Sequence, residues 1–125
     1  MDTTRYLFEI PRDQNEKIAV FKNCFDIIYD EGNFLEYIDL IVRKKMNVHS
    51  EGAHCIFPDM DDYDDELHFE GVMFIFGDYA PEEKLIVSEQ ECFKLIQMAC
   101  ERYIARHPED TEKVQEILAQ SLLAK

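Results

Sequence analysis

Basic residues are scarce in this chain: 13 Lys and Arg face 27 Asp and Glu, for a formal charge of −14 over 125 residues. Nucleic acids and anionic membranes are polyanions, so this balance argues against direct binding to either and favours basic proteins or cations as partners. Glycine is scarce too, and the 4 glycines are scattered, with no Gly-rich loop to cradle a phosphate. Long apolar runs are missing; the longest unbroken one, Val72 to Phe76, is far short of the roughly 20 residues that span a bilayer. The opening MDTTRYLFEIPRD has neither the basic start nor the apolar stretch and cleavage site of an export signal, so a cytoplasmic protein is expected. No C-x-x-C spacing occurs among Cys24, Cys55, Cys92 and Cys100. In a reducing compartment these four are expected as buried thiols.

What is present is the material of a folded globule. The 46% hydrophobic and 12% aromatic content suits one domain covering residues 1–125, with no repeat, low-complexity tract or linker. Asp13-Gln-Asn-Glu16 resembles a capping box opening a first helix, with Ile18, Phe21, Phe25 and Ile28 at helical spacing and Gly32 as its stop. A second helix follows with Leu35, Ile38 and Val42 inward and Arg43-Lys44-Lys45 at its C-terminal end. A polar loop is expected from about Asn47 to Ala53, then a short strand near 54–57. A strand from about Leu67 to Phe76, turn chemistry at Gly77-Asp-Tyr-Ala-Pro-Glu82 and a return strand Lys84–Val87 read as a hairpin near 67–87. Ser88-Glu-Gln-Glu91 caps a third helix bearing Cys92, Phe93, Ile96, Ala99, Cys100, Tyr103 and Ile104 on one stripe. Pro108 starts a last helix with Val114, Ile117, Leu118 and Leu122 inward. The class is α+β: a small antiparallel sheet packed with about four helices, with Phe21, Phe25, Ile38, Val72, Phe74, Ile86, Phe93, Ile96, Cys100, Ile117 and Leu118 in the core.

One stretch does not serve folding. FPDMDDYDDELHFEGV, residues 57–72, carries Asp59, Asp61, Asp62, Asp64, Asp65, Glu66 and Glu70 with no Lys or Arg between them. Asp59, Asp61 and Glu70 match positions 1, 3 and 12 of an EF-hand loop, but Tyr63 stands at position 5, Asp64 replaces the glycine of position 6, and no helices flank it. No metal site, cofactor or catalytic group is read elsewhere. His54 and Cys55 are strand neighbours that point to opposite faces, Ser88 is spent as a cap, no G-x-S-x-G occurs, and His49, His54, His68 and His107 lack ligand spacing. The plain alternative for the acid run is a solvated loop that keeps the protein soluble. Tyr63 in its middle is interface composition, and the tethers at Phe57-Pro58 and near Leu67 keep the ordering cost on binding small. The candidate partner-binding residues are therefore Asp59, Asp61, Asp62, Tyr63, Asp64, Asp65, Glu66 and Glu70.

Cys55-Ile-Phe-Pro-Asp, the acidic loop, Phe69-Glu-Gly-Val-Met-Phe, Ile86-Val-Ser-Glu, Ala99-Cys-Glu-Arg-Tyr and His107-Pro-Glu-Asp form an ordered set. It resembles the immunity proteins of contact-dependent growth inhibition (CdiI type), in the group paired with ribonuclease toxins, from about Gly52 to Leu118. The resemblance implies a cytoplasmic protein that holds the toxin domain of its own strain and blocks the nuclease active site. A ribonuclease cleft must attract phosphates, so that domain is expected to be basic, and a monomer without enzymatic activity binding it one-to-one is expected. The resemblance also implies that Phe69-Glu-Gly and the Ala99–Tyr103 helix belong to a shared scaffold, which makes Glu70 the weakest of the contact candidates. A rival reading is an acidic adaptor or regulatory domain that binds some other basic protein.

Overall fold

In a computed structural model, which describes residues 6–9, 13, 15–77 and 82–124, the periodicities resolve into helices around one sheet. The order is α1 (Ala19–Asp30), α2 (Phe34–Lys44), β1 (Val48–Ser50), β2 (Ala53–Ile56), β3 (Val72–Phe76), β4 (Glu83–Val87), α3 (Glu89–Arg106) and α4 (Thr111–Ala119). The strands pair antiparallel in the order β1-β2-β3-β4, so the α+β class read from the sequence is the class observed. Helix α1 packs on β3 and β2, while α4 packs against α2 and α3.

Apolar spacing explains that packing. Phe21 and Phe25 sit one helical turn apart on α1 and stack at 4.5 Å, and Phe74 of β3 meets Phe21 edge-on at 5.2 Å. Ser88 caps α3 as its sequence demands, its hydroxyl accepting from the Glu91 amide at 3.0 Å. All four cysteines are buried free thiols, and burial pushes Cys24, Cys92 and Cys100 up to about 12.

Several expectations are corrected. The strand expected from Leu67 begins only at Val72, because Asp65–Leu67 forms a 3₁₀ turn and Gly71 adopts a φ of +97°. A Cβ at Gly71 would stand 2.0 Å from the Val87 carbonyl oxygen, so this close crossing of chain admits no side chain. The loop expected at 47–53 contains strand β1, which its polar His49 and Ser50 concealed. Helix α1 starts at Ala19, and Asp13 instead nucleates a turn, accepting from the Asn15 amide on its carboxylate and from the Glu16 amide on its carbonyl. Ile86 is half exposed on edge strand β4, whose inward position is Val87. Leu122 is exposed because α4 has already ended and Leu123 takes the buried place. Leu118 is only partly buried against the core. Most of the expected hairpin turn, residues 78–81, lies outside the described residues.

The segment before α1 is tied down more firmly than its sequence suggests. Leu7 and Phe8 are buried, and both amides donate to one oxygen of the buried Asp26, at 2.8 and 3.0 Å. Beside them the buried Lys22 donates to Glu9 at 2.6 Å and to Glu16 at 3.1 Å. Burial works against the lysine charge, but the bonds to Glu9 and Glu16 outweigh it and hold the Lys22 pKa above its usual value.

Candidate partner-binding site

The acidic stretch is an ordered loop, and its own aspartates order it. Asp59 Oδ1 accepts from the Asp61 amide at 3.1 Å, Asp62 Oδ1 from the Asp64 amide at 2.8 Å, and Asp64 Oδ1 from the Glu66 amide at 2.9 Å. These are consecutive Asx turns, each aspartate satisfying the amide two residues on. The Asp59 amide donates to the Leu67 carbonyl at 2.9 Å, which draws the two ends of the loop together. His68 donates from Nε2 to the Asp62 carbonyl at 2.7 Å and braces the middle. Asp59, Asp61, Asp62, Asp64, Asp65, Glu66 and Glu70 are all exposed. Tyr63 is fully exposed at 103%, which leaves its ring without cover. The structure thus brings Asp59 to Glu66 together on one loop, while Glu70 lies beyond the 3₁₀ turn, beside Gly71. Among the described residues no three His, Cys, Asp or Glu side chains come together as a metal site.

A second feature escaped the sequence reading. A pocket of about 320 Å³ opens where the C-terminal end of α1, the start of α2 and the end of α3 meet. Phe34 and Tyr103 stack in it at 4.3 Å and 8°, Tyr29 stands edge-on to Tyr103 at 6.0 Å, and His107 lies 4.6 Å from Tyr103. Asp30 and Glu36 also line it, and both are exposed. Tyr29 Oη is 2.8 Å from His107 Nε2, and Tyr103 donates its hydroxyl to Asp110 at 2.7 Å. Burial and that bond to Asp110 both raise the Tyr103 pKa, so the phenol stays neutral. The signal was present in Tyr103, but its place on the apolar stripe of α3 made it read as core, and His107 was weighed only as a metal ligand.

The loop and the pocket occupy opposite ends of the sheet. The loop leaves β2 at Ile56, which pairs with Met73. At the other end Ala53 pairs with Ser50 and with Phe76, and the Ser50 hydroxyl donates to Glu31, the neighbour of the pocket residues Asp30 and Gly32. His49 and His54 are cross-strand partners on β1 and β2 whose Nδ1 atoms lie 3.0 Å apart.

The sequence profile described as CDI immunity protein matches residues 17–118, more than four-fifths of the chain. The chain belongs to that family. The match reaches further toward the N-terminus than the stretch from Gly52 that carried the resemblance, and it contains both the acidic loop and the pocket. A crystal structure of an immunity protein from Neisseria meningitidis MC58 superposes with a TM-score of 0.74 at 18% identity, covering 96% of this chain and 99% of that one. At that identity the likeness concerns the fold. No curated protein matches the sequence of this CDI immunity protein. Among its described residues no helix is long and apolar enough to cross a membrane.

Proposed function

We propose that this immunity protein works in the cytoplasm as a non-catalytic inhibitor, binding a cognate ribonuclease toxin domain one-to-one and covering its active site with the acidic loop. The observation that carries this reading is the loop itself: exposed carboxylates held in place by Asx turns around an uncovered Tyr63. A ribonuclease cleft has to attract phosphates and is therefore basic, and a carboxylate array can occupy it as a substitute for the RNA backbone. Asp61, Asp62, Asp64 and Asp65 act as charge-assisted acceptors for toxin Lys and Arg. Tyr63 supplies the desolvated contact that sets the lifetime of the complex.

Surface-plasmon kinetics against the cognate toxin domain at two salt concentrations tests this reading. Association should approach about 10⁸ M⁻¹s⁻¹ at low salt and slow as salt rises. A complex whose association ignores salt, or a toxin that keeps cleaving RNA once bound, would refute it.

A further inference from the structure

Outside the loop and the pocket, the β1–β2 hairpin sets two imidazoles against each other. His49 and His54 stand directly opposite in the antiparallel register, where side chains on one face of the sheet meet. They meet through the same atom, Nδ1 to Nδ1 at 3.0 Å, with ring centres 5.1 Å apart. Of two neutral imidazoles so placed, one donates its Nδ1–H and the other accepts, so two ring nitrogens converge on one point. The backbone holds the arrangement from both sides. His54 also pairs with Ile75 on the inner strand β3, and the His49 carbonyl accepts from the Tyr37 hydroxyl at 2.8 Å. His49 is exposed and His54 is partly exposed, so the pair is open to solvent.

We propose that His49 and His54 form a binding site for a divalent transition-metal ion, held by both Nδ1 atoms in place of the shared hydrogen. Imidazole nitrogen suits copper, nickel and zinc, whereas magnesium and calcium prefer oxygen. With metal–nitrogen bonds of about 2.0–2.1 Å, nitrogens 3.0 Å apart subtend about 90° at the metal. That is the angle between adjacent ligands of a tetragonal Cu(II) or Ni(II) ion and is tighter than tetrahedral zinc prefers, so copper and nickel fit best. Among the described residues no third His, Cys, Asp or Glu joins the pair, so the two imidazoles are the protein's whole share and the other positions go to water or to a ligand from another molecule. Loading the neutral pair releases no net proton. The ring that donated through Nδ1 carries its hydrogen on Nε2 instead, which leaves both Nδ1 lone pairs for the metal. The formal charge of −14 draws cations toward the surface. A bound ion ties β1, the three-residue strand at the edge of the sheet, to β2. The site is independent of the toxin-binding reading.

Two measurements test it, both on the whole chain stripped of metal and held in excess magnesium, which occupies carboxylates and leaves imidazoles free. First, Cu(II) and Ni(II) are titrated in by calorimetry. Each should bind at one equivalent, copper the more tightly. Either His49→Gln or His54→Gln should weaken binding by at least about tenfold, since even a group behind a metal ligand is worth that much. No stoichiometric binding, or binding that both variants retain, would overturn the site. Second, Cu(II) is added to the parent below one equivalent and the histidine ring resonances are followed by NMR. Paramagnetic broadening should reach His49 and His54 while His68 and His107 stay sharp. Broadening centred on His68 and the acidic loop, or on His107, would place the copper elsewhere and overturn the assignment. The second measurement needs no variant, so it decides the matter even where a substitution unfolds the hairpin.

Discussion

The acidic loop and the aromatic pocket lie at opposite ends of one sheet and are ordered by opposite means. The loop is built from short-range backbone bonds: Asp59, Asp62 and Asp64 each hold the amide two residues on, and no residue from Asp59 to Glu66 is buried. The pocket is an outcrop of the core, since Phe34 is buried and packs both on Phe25 and on Tyr103. Charge can therefore change in the loop at little cost to the fold, whereas the pocket cannot change shape without disturbing the interior. Contact residues whose charge must be free to vary are best kept on the first kind of surface. The second kind is suited to one fixed feature.

The largest expected effect breaks the comparison from the interior. Cys24, Cys92 and Cys100 have pKa values raised by burial to about 12, and Cys55 is raised as well. Tyr103 in the pocket is raised in the same direction by burial and its bond to Asp110. Each group keeps its proton more tightly in the folded state, so full stability holds below pH 9, the usual value for these thiols, and is lost as pH climbs toward 12. A thiol raised in this way costs stability at up to about 1.4 kcal/mol per pH unit between its unfolded and folded values. Denaturant melts between pH 8 and pH 11 should show the midpoint falling steeply above pH 9. A midpoint that stays flat to pH 11 would mean the thiols are not held in a dry interior.

Next comes the pocket's floor. Phe34→Ala removes a buried ring that bridges the core and the pocket, and should cost about 3–5 kcal/mol in urea unfolding. Tyr63→Ala is its counterpart on the loop and should leave the urea midpoint in place, because the ring is fully exposed. Its effect belongs to binding: dissociation from the toxin should quicken by an amount worth about 2 kcal/mol. If instead Tyr63→Ala destabilises the free protein, the loop is packed in a way its exposure does not express.

The same contrast explains how much of the molecule could be read from its residues. The long periodic elements were legible: Phe21, Phe25 and Ile28 on α1, and the Ser88 cap with the α3 stripe, because 3.6-residue spacing and capping chemistry are local signals. Strand β1 was not, because three residues with only Val48 inward carry no period, and its hydrogen bonds come from β2. The onset of β3 was misjudged because Phe69 reads as strand, whereas the close approach of Gly71 to Val87 is a tertiary fact. The acidic loop stood out because charge density is written in sequence order. The pocket did not, because Tyr29, Phe34 and Tyr103 come from three helices and each taken alone is an ordinary core aromatic.

The smallest expected effect is the sharpest test of the loop. Replacing Asp61, Asp62, Asp64 and Asp65 together by Asn removes four charges and leaves every side-chain oxygen that the Asx turns use, since an amide oxygen accepts as a carboxylate does. Asp62 and Asp64 accept the amides of Asp64 and Glu66, and both bonds survive in the Asn form. Relief of repulsion among the acids and weakening of those two charge-assisted bonds oppose each other, so stability should stay within about 0.5 kcal/mol of the parent, as for surface changes generally. Asp62→Ala with Asp64→Ala removes the acceptors themselves and should cost about 1 kcal/mol per lost bond, a loss that charge repulsion cannot explain. The pair of variants separates what the aspartates do for the loop from what they do for the partner. Against the toxin, the Asn variant should associate more slowly and with a flatter salt dependence, its loop still shaped as before. Should the Asn variant associate as fast as the parent at low salt, the acids act only as turn-formers, and the charge that steers the toxin lies elsewhere on the surface.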